Sequence, residues 1–265
     1  MIGVRELLAP LELPEPCSRS AAEYRLPAAH ALGAALPQGH LHVWSGAPGA
    51  GKTAFLLGLL REAARHGRPT LLATYDLPAS ALALRLLAME AGVSLADLDG
   101  GRLVGGDAQR ASLARVRLSE LSLHVLEARG LSATSLEDRL VRSPVRFDVL
   151  GVDYVEAVVR PTSTGADGVP STLHELSELA KRRWLAVVAT VRTAPATPSA
   201  PAAGAGANGL DARAFDADRV GFISAPDERG TTKASLLANR HGGLTSCRLR
   251  LDPASARWIE DAGGA

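Results

Sequence analysis

The stretch GAPGAGKT, residues 46–53, satisfies every fixed position of the pattern G-x-x-x-x-G-K-[ST]. Such a run needs a particular setting: a buried strand before it and a helix opening on its last residues. The flanks supply both. LHVWSG (41–46) is apolar, and TAFLLGLLREAARHG (53–67) sets Phe55, Leu56, Leu59, Leu60 and Ala63 at helical spacing before Gly67. Glycines let backbone N–H groups turn inward around phosphate oxygens. The N-terminus of the following helix adds its partial positive charge. The residues expected to cradle a triphosphate are therefore Gly46, Pro48, Gly49, Ala50, Gly51, Lys52, Thr53 and Ala54. Lys52 would reach the β- and γ-phosphates and the Thr53 hydroxyl would ligate Mg²⁺, so ATP and Mg²⁺ are the expected cofactors.

A magnesium shell needs a second oxygen donor nearby. FDVLGVDYV (147–155) is a buried strand that ends in acid, which places Asp153 at the carboxyl end of a parallel strand beside the loop. Asp148 lies at the wrong end of the same strand. Hydrolysis also needs a group that orients or deprotonates the attacking water. Asp76, just after the strand PTLLATY (69–75), is the first candidate and Glu156 the second. The competing role for Asp76 is the N-cap of the helix that begins near Pro78.

The rest of the chain alternates short apolar runs with helical patterns. Helices are expected over 79–92, around 109–121, and over 134–142 and 172–184; strands over 121–127 and 185–191. Nearly continuous apolar strands imply a parallel sheet covered on both faces. Further strands are expected at 219–225, 233–240, 245–251 and 256–260, with HGGL (241–244) turning a hairpin. An antiparallel C-terminal extension at one sheet edge follows. The fold class is therefore α/β, with a mostly parallel twisted sheet flanked by helices. Residues 1–38 are Pro- and Ala-rich and read as an N-terminal arm or lead-in to a domain of residues 39–265. The Ala/Pro/Gly-rich run 193–209 reads as a flexible surface loop.

Charge narrows the partners. The net charge is +1, so no global field draws the chain to nucleic acid or an anionic membrane. No stretch is long and apolar enough to span a bilayer, and the N-terminus has no secretion-signal pattern. Cys17 and Cys247 form no metal spacing or disulfide framework, which fits a cytoplasmic protein.

These residues resemble the C-terminal motor domain of DnaB-type replicative helicases, within the RecA-like group of P-loop NTPases. The loop with its proline is also similar to the RadA and KaiC branch. TYDLPASALALRLLAMEAGVSLADL (74–98) resembles the helicase stretch that continues through a Leu-Arg-Leu-Leu helix into Gly-Val. VLGVDYVEAV (149–158) is similar to the family's Ile-Asp-Tyr-Leu-Gln magnesium motif. TLHELSELAKRRWLAVVA (172–189), FDADRVGFI (215–223) and LLANRHGG (236–243) resemble the segments that follow. The resemblance implies that Lys52 and Thr53 bind phosphate and magnesium, that Asp153 stands on the magnesium side, and that Asp76 falls at the catalytic glutamate. It further implies that Arg240 is the arginine finger reaching the γ-phosphate held by a neighbouring subunit of a ring. A planar guanidinium suits that contact; a solvated hairpin charge is the plainer reading of Arg240.

Three departures from the family pattern bear on activity. The glutamate becomes Asp76, one methylene shorter, and water positioning is sensitive to about an ångström. The lysine two residues before the finger becomes Ala238. The γ-phosphate-sensing glutamine becomes Arg192, which either contacts phosphate itself or caps a strand end facing solvent. The segments matching the family's DNA-contacting loops, 160–171 and 193–209, offer Arg160 as their only cation and no aromatic platform. The expected partners are thus a second copy of the chain, in a homo-oligomer that could be a hexamer, or other proteins. Single-stranded DNA is an option that the loop composition does not support. Two functions remain open: an ATP-dependent oligomeric scaffold or regulator with slow hydrolysis, and a helicase- or recombinase-type ATPase acting on single-stranded DNA. A small-molecule kinase ranks last, for want of a lid or an arginine cluster.

Overall fold

In the computed structural model, residues 1–13, 36–158, 168–192 and 216–260 are described. One ten-stranded sheet organises them. The strands are β1 (Ile2–Gly3), β2 (Leu41–Gly46), β3 (Thr70–Thr74), β4 (Leu123–Glu127), β5 (Val149–Asp153), β6 (Ala186–Arg192), β7 (Arg219–Ile223), β8 (Thr231–Asn239), β9 (Ser246–Asp252) and β10 (Arg257–Glu260). Their spatial order is β1-β4-β3-β5-β6-β2-β7-β8-β9-β10. The six strands from β4 to β7 in that order run parallel. The helices are α1 (Val4–Leu8), α2 (Lys52–Arg65), α3 (Ala79–Ala91), α4 (Leu95–Asp99), α5 (Gly105–Ser119), α6 (Ala133–Val141) and α7 (Gly168–Arg183).

The apolar strands bury both faces. Along β6, Ala186 and Val188 join the core under α2, α3 and α5, while Val187 and Ala189 join the core under α7. Successive side chains of a strand point to opposite faces, so one buried run, five of its six residues apolar, serves two cores. The two clusters are the reason the strands show no alternation in sequence. α2 is buried nearly all round, because β10 and α3 cover the flank that the sheet does not. Even Arg61 is enclosed at 1% exposure, held by Glu62 at 2.9 Å and Glu90 at 3.1 Å. α3 stops at Gly92, whose φ of 64° and N–H bond to the Ala88 carbonyl form a left-handed cap.

The expected mostly parallel sheet and its antiparallel extension are present, the latter as β8, β9 and β10. Other details differ. Residues 2–8, within the expected lead-in, form β1 and α1; β1 pairs antiparallel with β4 and α1 packs on α5 and α3. Two residues of strand and five of helix are too short for a periodic signal; Val4 and Leu8 are buried by tertiary contact. α4 was not expected either; Ser94 caps it, its hydroxyl accepting from the Asp97 amide at 3.2 Å. α7 opens at Gly168, four residues before the expected start, with Pro170 in the first turn where its missing N–H costs nothing. The Ala/Pro/Gly-rich run 193–209 and residues 14–35 lie outside the described residues.

Candidate functional site

β2 sits between β6 and β7 near the centre of the sheet, so its carboxyl end opens onto a crevice walled by neighbouring strand ends. The chain turns there from Gly46 and enters α2 at Lys52. A Cβ on Gly46 would stand 2.6 Å from the Ile223 carbonyl oxygen, so the strand end is held tight against β7. Gly51 is the N-cap of α2 at φ 80°. A methyl group there would stand 2.7 Å from the Trp258 ring and 2.9 Å from Leu251. The C-terminal hairpin therefore braces the loop from behind. Trp258 is fully buried and meets Phe55 of α2 edge-on at 6.3 Å, while Phe55 packs on Trp44 of β2 at 4.6 Å.

Lys52 lies inside the turn. Its ammonium donates to the Gly46 and Ala47 carbonyl oxygens at 2.7 and 2.8 Å. Burial holds its pKa below the ordinary lysine value, with Glu156 and Asp153 opposing that shift. The first-turn amides of α2 have no partner within the helix, so an anion at this end gains N–H donors and an ammonium together.

β5 lies one strand beyond β6, and Asp153 closes it at the same end of the sheet. The Thr53 hydroxyl donates to Asp153 Oδ2 at 2.9 Å. The Thr190 hydroxyl, on β6, donates to Oδ1 at 2.6 Å. Thr53 and Asp153 are thus adjacent, as the pairing around one hard cation requires. Asp148 sits at the other end of β5 and accepts from the Gln38 amide at 3.2 Å.

The remaining candidates surround the same opening. Arg192, the last residue of β6, lays its guanidinium over the Tyr154 ring at 3.7 Å and reaches Asp76 Oδ2 at 3.6 Å. Of the two roles read for Arg192, this placement favours a group facing the cleft. Asp76 does not cap α3. That helix has Pro78 as its N-cap without a side-chain bond, and Glu127 accepts from the Ala79 amide at 2.8 Å. The Asp76 carbonyl accepts from Arg129, which leaves its half-exposed carboxylate over the cleft. Glu156 follows β5 in a single 3₁₀ turn (Val155–Ala157) and accepts from the backbone amide of Arg192. Surrounding protein raises its pKa above the usual carboxylate range, with Arg192 and Lys52 pulling the other way.

Arg240 is elsewhere. β8 runs antiparallel to β7, so Arg240 emerges beside Asp218 at the amino end of the sheet, its amide donating to the Asp218 carbonyl at 2.9 Å. Roughly 15 Å of strand separates that end from the loop. Arg240 is exposed and cannot join the site of its own chain. Ala238 packs inward on the core.

A cleft of about 460 Å³ joins these groups: Lys52, Thr53, Asp153, Asp76 and Arg192 form its polar side. Its other side holds four groups that motif reading missed: Arg85, Leu251, Pro253 and Ala256. Arg85 carried a signal, a cation amid the apolar residues of α3. Leu251, Pro253 and Ala256 carried none, because they arrive some 200 residues after the loop through the hairpin. Thr190 could have been found: a hydroxyl in the buried strand LAVVATV must be hydrogen-bonded.

The family description "DnaB-like helicase C terminal domain" matches residues 30–197. Among solved structures, a DnaB-like replicative helicase, in a study that also describes its interactions with primase, is 14% identical. It superposes with a TM-score of 0.74 over 84% of this chain and 59% of that one. A second structure, of an ATPase domain, is 14% identical, with a TM-score of 0.74 over 85% of this chain and 86% of that one. The RadB recombinase is 15% identical, with a TM-score of 0.52 over 84% and 92%. The chain thus spans 59% of the replicative helicase it resembles, and at these identities the structural likeness speaks for the RecA-like fold.

Proposed function

Since this chain belongs to the DnaB-like helicase C-terminal domain family, we propose that it binds ATP with Mg²⁺ on residues 46–53 and hydrolyses it slowly as an oligomer. The observation that carries the reading is the junction of Lys52, Thr53 and Asp153 at one mouth of the parallel sheet. In this reading Lys52 leaves the Gly46 and Ala47 carbonyls for the β- and γ-phosphates, and the loop amides and the start of α2 take the remaining charge. Thr53 and Asp153 hold the magnesium shell, with Thr190 orienting the carboxylate. The apolar wall of Leu251, Pro253 and Ala256 receives the base.

Asp76 orients the attacking water and Glu156 is the alternative. Asp76 is short for that task and is engaged by Arg192 at 3.6 Å, which supports a low turnover. In this reading Arg192, which lines the same cleft as Lys52 and Thr53, contacts the γ-phosphate. In the same reading Arg240, which lies too far from the site of its own chain, serves that of a neighbouring copy. A homo-oligomer, a hexamer included, is therefore part of the mechanism.

For the biological role we favour an ATP-dependent scaffold or regulator that works through protein partners in the cytoplasm. The described helices include none able to cross a membrane. The second reading, a motor on single-stranded DNA, is favoured by the family itself. Against it stand the near-zero net charge and the single arginine in the candidate DNA loops. The test is mass determination with and without an ATP analogue and single-stranded DNA, beside a phosphate-release assay. Assembly driven by ATP and indifferent to DNA supports the scaffold. DNA-stimulated, salt-sensitive turnover supports the motor.

A further inference from the structure

At the amino end of the sheet, opposite the ATP cleft, three groups converge that the nucleotide chemistry leaves unused. His40 leads into β2, Asp218 leads into β7, and His241 opens the β8–β9 turn directly after Arg240. One ligand atom from each lies within 4.8 Å of the others. His241 Nε2 is 3.3 Å from Asp218 Oδ1. The second Asp218 oxygen is pinned by the Leu41 amide at 2.9 Å, which fixes the direction of the carboxylate. The His40 ring stacks on that of His241 at 4.4 Å between centroids, and its Nδ1 is buried without a hydrogen-bond partner among the described residues.

We propose that His40, Asp218 and His241 form a binding site for a zinc-class divalent cation. Zinc takes imidazole nitrogen at about 2.0–2.1 Å and carboxylate oxygen at about 2.0–2.2 Å in a tetrahedron, so ligand atoms around one ion stand roughly 3.3–3.5 Å apart. The His241–Asp218 pair already has that spacing. His40 offers the third ligand atom within 4.8 Å of the other two, and water would complete the fourth position. Two imidazoles and one carboxylate select zinc, cobalt or nickel over magnesium and calcium, which prefer all-oxygen sites. The orphaned His40 nitrogen supplies what a plain His241–Asp218 ion pair does not explain: a buried polar atom costs free energy unless something binds it.

The site joins three chain segments, 40–41, 218 and 241, and would tie the β8–β9 turn to the body of the sheet. It does not depend on the reading of the nucleotide cleft. The test is zinc titration of the tag-free full chain without nucleotide, by calorimetry and by competition with a chelating dye. His241→Ala is the main variant, because His241 is exposed and its loss leaves the core intact; His40→Ala is the second. His174→Ala, which removes the imidazole paired with Asp216, is the control. We expect one zinc per chain. Both site variants should weaken binding by more than the roughly 10–100-fold that loss of an outer-shell partner costs, and the control should bind like the parent. Cobalt should give a visible tetrahedral spectrum in the parent that disappears in His241→Ala. No saturable zinc binding by the parent, or unchanged binding by the two site variants, overturns the proposal.

Discussion

Replacing Thr190 by Val isolates one bond at the heart of the site. The two side chains have nearly the same shape, and Thr190 is 1% exposed, so packing changes little. What disappears is the hydroxyl that donates to Asp153 Oδ1 at 2.6 Å; its 3.4 Å approach to the Val152 carbonyl is far longer, so the carboxylate takes the proton. A hydrogen bond to a charged group contributes about 1.5–3 kcal/mol, and Asp153 is only 4% exposed, so solvent compensates its loss poorly. Unfolding in urea should therefore show a loss of about 1.5–3 kcal/mol. With a slope near 3 kcal/mol/M that is a midpoint shift of roughly 0.5–1 M. The functional effect should be selective. Asp153 keeps its Thr53 bond but loses its fixed direction, so affinity for ATP with magnesium should fall about tenfold while affinity in EDTA stays within about twofold. A Thr190→Val protein with the parent's urea midpoint and the parent's magnesium dependence would refute this account of the carboxylate.

Four further outcomes follow. Gly51→Ala should cost more than the roughly 1 kcal/mol of a left-handed alanine, because its methyl meets Trp258 and Leu251; both the melting temperature and ATP affinity should drop. Arg240→Ala should lower turnover by roughly 10³-fold or more, as loss of an arginine finger does, with ATP affinity within about threefold. A parent enzyme fully active as a dilute monomer would contradict the trans role. Asp76→Glu, which restores the missing methylene, should raise single-turnover hydrolysis about tenfold or more, and an unchanged rate would remove Asp76 from the mechanism. The Lys52 pKa is lowered in the folded protein, so its ammonium is lost as pH rises through a value below 10.5. ATP affinity should fall over that alkaline range, and a flat profile would count against the ammonium contact.

His42 gives a separate test of the fold. Burial first, then Arg219, pushes its pKa from 6.5 to about 3. The unfolded chain thus binds a proton between those values that the folded chain refuses. Stability is complete above pH 6.5 and falls as pH drops toward 3, by several kcal/mol at 1.36 kcal/mol per unit. His42→Gln should flatten that acid limb in urea melts from pH 7 to 4.

Much of this architecture was legible because its signals are local. The loop 46–53 and its flanks fix a strand, a turn and a helix start by themselves. The acid that closes VLGVD could lie only at the carboxyl end of β5, where Thr53 meets it. Strand and helix alternation sufficed for the parallel sheet. The missing parts depend on contacts between distant segments. The capping of α3 by Glu127 rather than Asp76 depends on β4 lying beside β3, and no spacing encodes that. The brace behind Gly51 depends on the hairpin folding back over α2. β1 and α1 are held by β4 and α5, not by their own propensity.

The central claim is that the loop 46–53 holds a triphosphate through its amides and Lys52. The most direct measurement is calorimetric titration of ATP with Mg²⁺ into the parent chain and into Lys52→Ala, both shown folded by circular dichroism. The account predicts saturable binding by the parent and a loss of about 100-fold or more in the variant, in line with removal of a charged phosphate contact. Equal affinity in the two proteins would contradict it.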